Sequence, residues 1–339
     1  MLQISCAILV LAGLLIYVLL DGFDLGVGNL FFFNKNKKQK DEMMSSLAPV
    51  WDGNETWLVY AGGMTWAAFP LVYSIALPAF YIPLTLMLFT LMLRGVSFEF
   101  RLKADESQKK IWDFAFFIGS VLTSFIQGAA LGAIVDGVKI ENNVYAGGPF
   151  DFLSFTSVAT GIAVAFAYSM LGSAWVIYKT EGETRSFGIK SLKVSSSILF
   201  VLFLVCAVYV PLKYPYILEL ILQKKALWII IVNAVITLLL MFWLISGNEK
   251  CMYKKDSCPI LTVFLIISLS ILNLVISVWP YVIYPTHTLF DVANINNGSL
   301  TVVFWLMLIM LPIILAYTGY VYYTFKGKVS SSNQNNFYE

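Results

Sequence analysis

Long apolar stretches separated by short polar ones dominate the chain. A helix needs about 20 apolar residues to cross the hydrocarbon core, because no water there can satisfy the backbone N–H and C=O groups. Nine stretches reach that length, at 5–33, 50–73, 77–100, 112–135, 154–178, 194–213, 226–245, 260–283 and 300–325. The pattern therefore predicts an all-α polytopic membrane protein with nine transmembrane helices.

The lengths of the connections suggest how these helices are grouped. Four predicted helices fill residues 5–135, four more fill 154–283, and a ninth covers 300–325. We therefore predict one membrane domain over residues 1–325, built from two four-helix bundles and one extra helix. The polar, Ser- and Asn-rich residues 326–339 are predicted to form a tail that is disordered from residue 330.

Charge placement predicts the orientation of the chain in the membrane. Only 12% of residues are charged and the mean hydropathy is +0.79, while the net charge of +2 gives no indication of a nucleic-acid partner. Alternate loops and the tail hold 17 of the Lys and Arg residues, and the loops on the opposite side hold 4. Cytoplasmic loops carry the excess of positive residues, so we expect the N-terminus outside and the C-terminus in the cytoplasm.

With that orientation, polar side chains of the first three predicted helices concentrate in the cytoplasmic half. A charge near hydrocarbon costs a few kcal/mol or more, so such residues are candidates for a functional site. The residues concerned are Asp21 and Asp24 in the first helix, Trp51, Asp52, Asn54 and Glu55 in the second, and Arg94, Glu99 and Arg101 in the third.

Helical spacing indicates which of these groups face each other. Asp21 and Asp24 share one face of the first helix, whereas Gly22 and Gly26 form a small-residue pair that lets a neighbouring helix approach. Two acids so close in a poorly hydrated place do not both ionise readily, so one can hold and release a proton. Arg94 stays protonated and therefore fixes a carboxylate instead of relaying protons.

Simpler explanations exist for the same residues. Asp52 and Glu55 share a helix face, and both also suit a first helical turn, where the helix dipole favours acids. Glu99 and Arg101 fit a solvated helix end, and Trp51 fits an interfacial anchor.

The sequence offers few residues for metal or redox chemistry. His287 is the single histidine, and haem iron is usually held by His, Met or Cys. Cys251 and Cys258 are too far apart for a close metal-binding pair, and free thiols are the simpler interpretation. Membrane acids without a redox centre indicate a proton-handling subunit whose cofactors lie elsewhere, a proton-coupled secondary transporter, or a purely structural partner.

Several motifs of the first 135 residues resemble those of a known family. They are DGFDLGVG at 21–28, PVWDGNETWL at 49–58, AGG at 61–63, AAFP at 67–70, FYIP at 80–83, LRGVSFEFR at 93–101, WD at 112–113 and GS at 119–120. In combination they resemble subunit II of cytochrome bd-type quinol oxidases. WP at 279–280, SLT at 299–301 and PIILAY at 312–317 add a weaker likeness.

The resemblance implies a bacterial cell-membrane heterodimer with a subunit I that carries two haems b, haem d and the quinol site. Such a complex oxidises quinol and reduces oxygen to water with protons from the cytoplasm, and subunit II binds no haem. The resemblance further implies that Asp52 lies on the proton route and that Asp24 continues it. Two residues depart from the family pattern: Gly95 stands where relatives often have Pro, and Glu55 where they often have Gln.

We combine these indications into one hypothesis for the proton route. Asp52 gathers protons at the cytoplasmic face, Asn54 and Glu55 order water there, and Trp51 shapes the entrance. This chain would also contact lipid and quinol, with a small single-helix subunit as a further candidate partner.

The hypothesis also assigns the deeper charges. Asp24, with Asp21 beside it, passes protons toward the subunit interface. Arg94 and Glu99 form a structural charge pair at the inner rim, with Arg101 beside them.

Overall fold

The fold was described from a computed structural model of the chain. It describes residues 1–223, 226–247, 255–284, 286–293 and 297–329. Cys251 and the predicted disordered tail from residue 330 lie outside the described residues.

The described residues are almost entirely helical. The helices are α1 (Leu2–Phe31), α2 (Lys37–Leu47), α3 (Trp51–Ala68), α4 (Pro70–Ala79), α5 (Tyr81–Lys103), α6 (Lys109–Asp136), α7 (Phe155–Lys179), α8 (Gly182–Lys213), α9 (Pro215–Gln223), α10 (Leu227–Ser246), α11 (Ser257–Val278), α12 (Leu289–Val292) and α13 (Asn297–Thr324). Two antiparallel hairpins pair β1 (Ile140–Glu141) with β2 (Val144–Tyr145), and β3 (Tyr281–Ile283) with β4 (His287–Thr288).

Within the described ranges, eight helices are long and apolar enough to cross a membrane. The number rises to nine when α3 and α4 are counted together as one bent span. The all-α polytopic fold is thereby confirmed. Which end of the molecule faces the cytoplasm stays a prediction, and we use "inner edge" for the end with α2 and "outer edge" for the end with the two hairpins.

The second predicted span is not one straight helix. Residues 50–73 were expected to be continuous, but α3 stops at Ala68 and α4 continues from Pro70 at an angle of 118°. Proline restrains the residue before it away from helical backbone angles, and Phe69 accordingly adopts φ −130° and ψ 65°. Pro70 then starts α4, since the first turn of a helix tolerates its missing N–H.

Several predicted loops contain helix, among them the connection between the spans predicted at 194–213 and 226–245, which holds α9. Residues 34–49 were expected to be a loop, yet α2 forms there, capped by the Asn36 side chain on the backbone N–H of Gln39. The predicted loop 179–193 contains the first three turns of α8. Hydropathy detects apolar length, so polar helical turns at the membrane edge escape it.

The helices pack as two groups that meet where α7 lies against both α1 and α6. In the first group α1 contacts α3 and α6, and α5 contacts α6; in the second, α7, α8, α10 and α11 contact one another in sequence. α13 packs against α1 and α3. The division into two four-helix bundles and one extra helix stays a prediction.

A close crossing joins the two groups. A Cβ added at Gly26 would lie 1.7 Å from the Tyr168 carbonyl oxygen, and one at Gly172 would lie 2.2 Å from the Gly26 carbonyl carbon. The backbones of α1 and α7 therefore touch, as the pair of small residues predicts. Beside the crossing, Phe23 stacks on Trp175 with ring centroids 4.0 Å apart.

Candidate functional site: a buried cluster of acids

The inner half of α1 holds two carboxyl groups inside the protein. Every residue from Asp21 to Phe31 is buried, and Asp21 and Asp24 have no exposed surface. α3, α6 and α7 surround this part of α1. Both acids therefore point into protein and not into lipid.

A single arginine on α5 lies between acids of two other helices. Arg94 has no exposed surface, and its Nη1 donates to Asp21 Oδ1 at 2.7 Å. Its Nη2 contacts Glu55 Oε1. The Glu55 side chain keeps 31% of its surface exposed, so this ion-pair chain runs from fully buried to partly accessible.

Asp24 has a different environment, made of neutral groups. Asn54 Nδ2 donates to Asp24 Oδ2 at 2.7 Å, and the Tyr322 hydroxyl donates to Asn54 Oδ1 at 2.9 Å. These bonds link α1, α3 and α13. The amide of Asn54 is thus fixed with its donor toward the acid.

The cluster holds three carboxyl groups and one guanidinium. One positive charge neutralises one carboxylate, so the others carry either protons or unbalanced charge. Asp21 Oδ2, Asp24 Oδ1 and Arg94 Nε are all buried, and none has a hydrogen-bond partner among the described residues. A buried polar atom without a partner is costly, and sites with such atoms take up water or change protonation.

The predicted entrance residues lie at the start of α3. Asp52 is exposed in the first turn. Trp51 stacks on Phe98 of α5, with ring centroids 5.1 Å apart and planes 9° from parallel. A Cβ at Gly95 would lie 3.3 Å from the Trp51 ring, so the small residue at this position leaves room for the indole.

The predicted pair of Arg94 with Glu99 is wrong. Arg94 contacts Asp21 and Glu55, while Glu99 is exposed. Five residues along a helix correspond to a rotation of about 140°, so the two side chains leave α5 on different sides.

Arg101, also predicted beside that pair, belongs to a separate group at the inner edge. It lies about two turns after Arg94 on the same buried face, and its Nη1 and Nε contact Asp41 Oδ1 at 2.8 Å and Asp113 Oδ1 at 2.6 Å. Lys40 Nζ contacts the other Asp113 oxygen at 2.9 Å. These contacts fasten α2 to α5 and α6.

A further ion pair ties α2 to the loop before α6. Hydrogen bonds from Lys37 and Lys109 lower the pKa of Glu106 to about 2. Both lysines lie within 2.9 Å of its carboxylate, and Lys37 and Glu106 are exposed. Such surface pairs contribute little to stability, but they mark this edge as solvent-facing.

Sequence reasoning missed four polar residues around the cluster, of which two are buried and two are half-buried. Tyr322 contacts Asn54 as described above, and three others form a chain. Tyr168 Oη donates to Gln127 Oε1 at 2.7 Å, and Gln127 Nε2 donates to Tyr17 Oη at 2.7 Å. Gln127, an amide in the middle of an apolar stretch, was the available signal, since a span tolerates such a group when it has partners.

The single histidine, His287, lies away from the acid cluster and has hydrogen-bond partners of its own. Both ring nitrogens of His287 are engaged at the outer edge, Nδ1 with Thr286 Oγ1 at 2.9 Å and Nε2 with Asn143 Oδ1 at 3.0 Å. Across the described ranges, no group of three or more His, Cys, Asp and Glu side chains is placed to hold a metal ion.

Comparisons with known proteins point to one family. The family model described as "Cytochrome bd terminal oxidase subunit II" matches residues 2–325. Cytochrome bd ubiquinol oxidase subunit 2 of Bacillus subtilis is 29% identical over 323 aligned positions, covering 93% of each chain. Cytochrome bd-I ubiquinol oxidase subunit 2 of Escherichia coli is 26% identical over 359 positions, covering 94% of this chain and 92% of its own.

A solved structure has the same fold. A chain of the bd oxidase from Geobacillus thermodenitrificans superposes with a TM-score of 0.66 at 11% identity, covering 96% of this chain and 98% of that one. At this identity the likeness supports the arrangement of helices.

Proposed function

Because the chain belongs to the cytochrome bd terminal oxidase subunit II family, we propose that its buried acids conduct protons from the inner edge toward the partner subunit. As a member, it is a multi-pass membrane subunit of a quinol oxidase complex, and membership implies a complex with subunit I. The proton-coupled transporter considered from the sequence does not match this family.

The observation that carries the proposal is a gradient of exposure across four acids. Asp52 is exposed, Glu55 is partly exposed one turn further along α3, and Asp21 and Asp24 are fully buried. A proton that enters at Asp52 thus meets acids of decreasing hydration. Series of acids within transmembrane helices are a common arrangement for proton transfer.

Arg94 interrupts direct transfer between Glu55 and Asp21. A guanidinium does not give up its proton, so the route passes around it. The buried carboxyl oxygens that have no partner, Asp21 Oδ2 and Asp24 Oδ1, offer sites where water can bridge the acids. Asn54 orders this water, because its amide is held by Tyr322 and donates to Asp24.

The redox chemistry belongs to the partner in this proposal. We place two haems b, haem d and the quinol site in subunit I, as the resemblance to the family implies. The named relatives act on ubiquinol, and we assign this complex to the wider class of membrane quinols. The role of this chain is to stabilise subunit I and to supply protons for oxygen reduction.

Asp52→Asn in the assembled complex tests the proposal. The substitution keeps the size of the side chain and removes its ability to bind and release a proton. We expect oxygen consumption with excess quinol to fall at least about tenfold, as for loss of a group that transfers protons. The haem spectrum should not change, because the Asp52 side chain is exposed at the start of α3.

Glu99→Gln is the matched control. Glu99 is also an exposed acid near the inner edge, but it lies outside the acid cluster. Its variant should consume oxygen at the native rate. Native turnover of Asp52→Asn with a normal haem spectrum would remove Asp52 from the route and favour the purely structural role.

A further inference from the structure

The segment that follows α13 is fastened to the inner end of α7. Lys179, the last residue of α7, is 5% exposed, and its Nζ donates to the Phe325 carbonyl and, at 3.1 Å, to the Gly327 carbonyl. In return, the Val329 N–H donates to the Lys179 carbonyl at 2.9 Å. A cation stabilises the carbonyl groups at the C-terminal end of a helix, so this lysine holds the end of α13. We call residues 325–329 the inner clasp.

A second contact holds the inner clasp to other helices. Lys328 Nζ contacts Asp256 Oδ2 at 2.5 Å and Glu181 Oε1 at 3.6 Å, and these acids directly precede α11 and α8. α13 has few other restraints within this chain. In its most apolar stretch of 18 residues only 11% are buried, the lowest share among the spanning helices described above. The clasp therefore contributes much of what fixes the inner end of α13.

Tyr322 lies in the last turn of α13, three residues before the clasp begins. Its ring meets the rings of Trp175 and Phe23 edge-on, with centroids 6.1 and 6.5 Å away. Lys179 Nζ lies 5.4 Å from the centroid of the same Trp175 ring. Tyr322 and the clasp are less than one helical turn apart, so a shift of the clasp moves the tyrosine as well.

The Tyr322 hydroxyl sets the direction of the Asn54 amide. It donates to Asn54 Oδ1 at 2.9 Å, which leaves Asn54 Nδ2 to donate to Asp24 Oδ2 at 2.7 Å. Asn54 and Asp24 are both buried, so bulk water does not replace a lost donor. Without the hydroxyl, the amide loses the group that fixes its orientation and can turn its oxygen toward the acid.

We propose that Tyr322 is a positioning residue for proton transfer through Asp24, and that the inner clasp keeps Tyr322 in place. The clasp holds the end of α13, Tyr322 holds the Asn54 amide, and the amide presents its N–H to Asp24. This inference rests on the proposed function. It adds a structural link from the inner edge of the membrane domain to the buried acids.

Tyr322→Phe in the assembled complex tests the positioning role. The substitution removes the hydroxyl and keeps the ring beside Trp175 and Phe23. We expect oxygen consumption with excess quinol to fall about threefold to tenfold, the effect of one hydrogen bond. The ratio of the rates in ordinary and heavy water should rise, because proton transfer then limits turnover. A purely structural change would lower the yield of complex and leave this ratio at its native value.

Tyr323→Phe is the matched control. It removes a hydroxyl from the next residue along α13, which is exposed and whose ring contacts Lys326. This variant should keep the native rate and the native ratio. If Tyr322→Phe also keeps both, Tyr322 does not position Asn54 and the inference is overturned.

Lys179→Met tests the clasp. It removes the donor to the two carbonyl groups, so amide hydrogen exchange of residues 325–329 should become faster and oxygen consumption should fall. Adding Lys179→Met to Tyr322→Phe should lower the rate no further, because both changes act through the same contact. Lys326→Met, which alters an exposed lysine of the same segment, should leave exchange and rate unchanged. Lys179→Gln replaces Lys179→Met if that variant yields too little complex.

The outcomes separate this inference from the proton route itself. Native turnover of Tyr322→Phe overturns the positioning role even when Asp52→Asn slows oxygen consumption. Native turnover of Asp52→Asn contradicts the proposed entry of protons, whereas a raised ratio of rates in Tyr322→Phe still supports positioning at Asp24. Native exchange of residues 325–329 in the Lys179 variant, or effects that multiply in the double variant, overturns the role of the clasp.

Discussion

Polar clusters near the two edges of the membrane domain balance their charges differently. At the outer edge, Asp136 of α6 contacts Lys213 at 3.3 Å and the Ser154 hydroxyl. Lys213 also donates to Thr156 Oγ1 at 2.7 Å, and Thr156 hydrogen-bonds Tyr214. One acid meets one base, both partly exposed, and each buried side-chain atom of these residues has a partner.

The inner cluster of Asp21, Asp24, Glu55 and Arg94 lacks both properties. Three acids share one base, the base is fully buried, and two of the acids have a buried oxygen without a described partner. A cluster that served only to hold helices together would gain from the balanced design at the outer edge. The imbalance therefore adds a second observation in support of the proposed proton route.

Removing the single base should have the largest effect of any change to either cluster. Arg94→Gln leaves Asp21 and Glu55 without their positive partner in a buried place, which typically costs about 3–5 kcal/mol. We expect loss of the assembled complex, measured as haem absorbance per unit of membrane protein. Adding Asp21→Asn to Arg94→Gln should recover part of the assembly, because it also removes a buried charge. A fully assembled Arg94→Gln complex would show that the acids do not depend on this base.

The outer cluster should respond weakly to the equivalent change. Asp136→Asn removes one partly exposed ion pair, and such pairs contribute about 0.2–1 kcal/mol. We expect a small decrease in the thermal unfolding midpoint of the complex and native oxygen consumption. A loss of turnover comparable with that of Asp52→Asn would mean that both clusters serve the proton route, and the contrast between them would fail.

A third group of charges, at the inner edge, should give a still smaller effect that depends on pH. Asp256 contacts Lys328, which follows α13, and Arg185 Nη2 at 2.9 Å. Partial burial alone would raise the pKa of Asp256, but Lys328 and Arg185 together lower it below its ordinary value. The contact is therefore fully present above about pH 3.9 and is lost as the pH falls through the lowered pKa.

Amide hydrogen exchange of residues 325–329 measures this effect. The Val329 N–H, which donates to the Lys179 carbonyl at 2.9 Å, should lose protection in that acidic range beyond the intrinsic pH dependence of exchange. Asp256→Asn should show the weaker protection already at neutral pH and no further change on acidification. Equal protection in both proteins at neutral pH would mean that this contact does not hold the segment.

Apolar length was enough to predict the membrane-spanning helices and the all-α class. Inside the membrane the backbone N–H and C=O groups must bond to each other, and a long apolar segment achieves this as a helix. Apolar length was not enough at Phe69 and Pro70. There the chain turns by 118° within an apolar stretch, and only the local backbone restriction of proline reveals the break. α2 was not predicted for the opposite reason. Its side chains are mostly polar, and a count of apolar residues does not detect such a helix.

The site was predictable in its members and less so in its pairings. Placing Asp21, Asp24 and Arg94 at one depth required only spans and orientation. The partner of Arg94 depends on which helices are neighbours, and the contact with Asp21 joins residues 73 positions apart. Helical rotation alone could have excluded Glu99, because its side chain leaves α5 about 140° away. The Tyr168–Gln127–Tyr17 chain needed three helices in place before it could be seen.

The backbone contact between Gly26 and Gly172 limits how this subunit can work. No side chains lie between α1 and α7 at this contact. Neither helix can therefore slide or tilt past the other unless the two backbones first separate. We therefore expect proton transfer in this region to involve protons, water molecules and side-chain rotations while α1 and α7 stay in place. The same contact also ties the two groups of helices together as the protein folds. Gly26 and Gly172 are far apart in the sequence, and both are needed to enclose the acids.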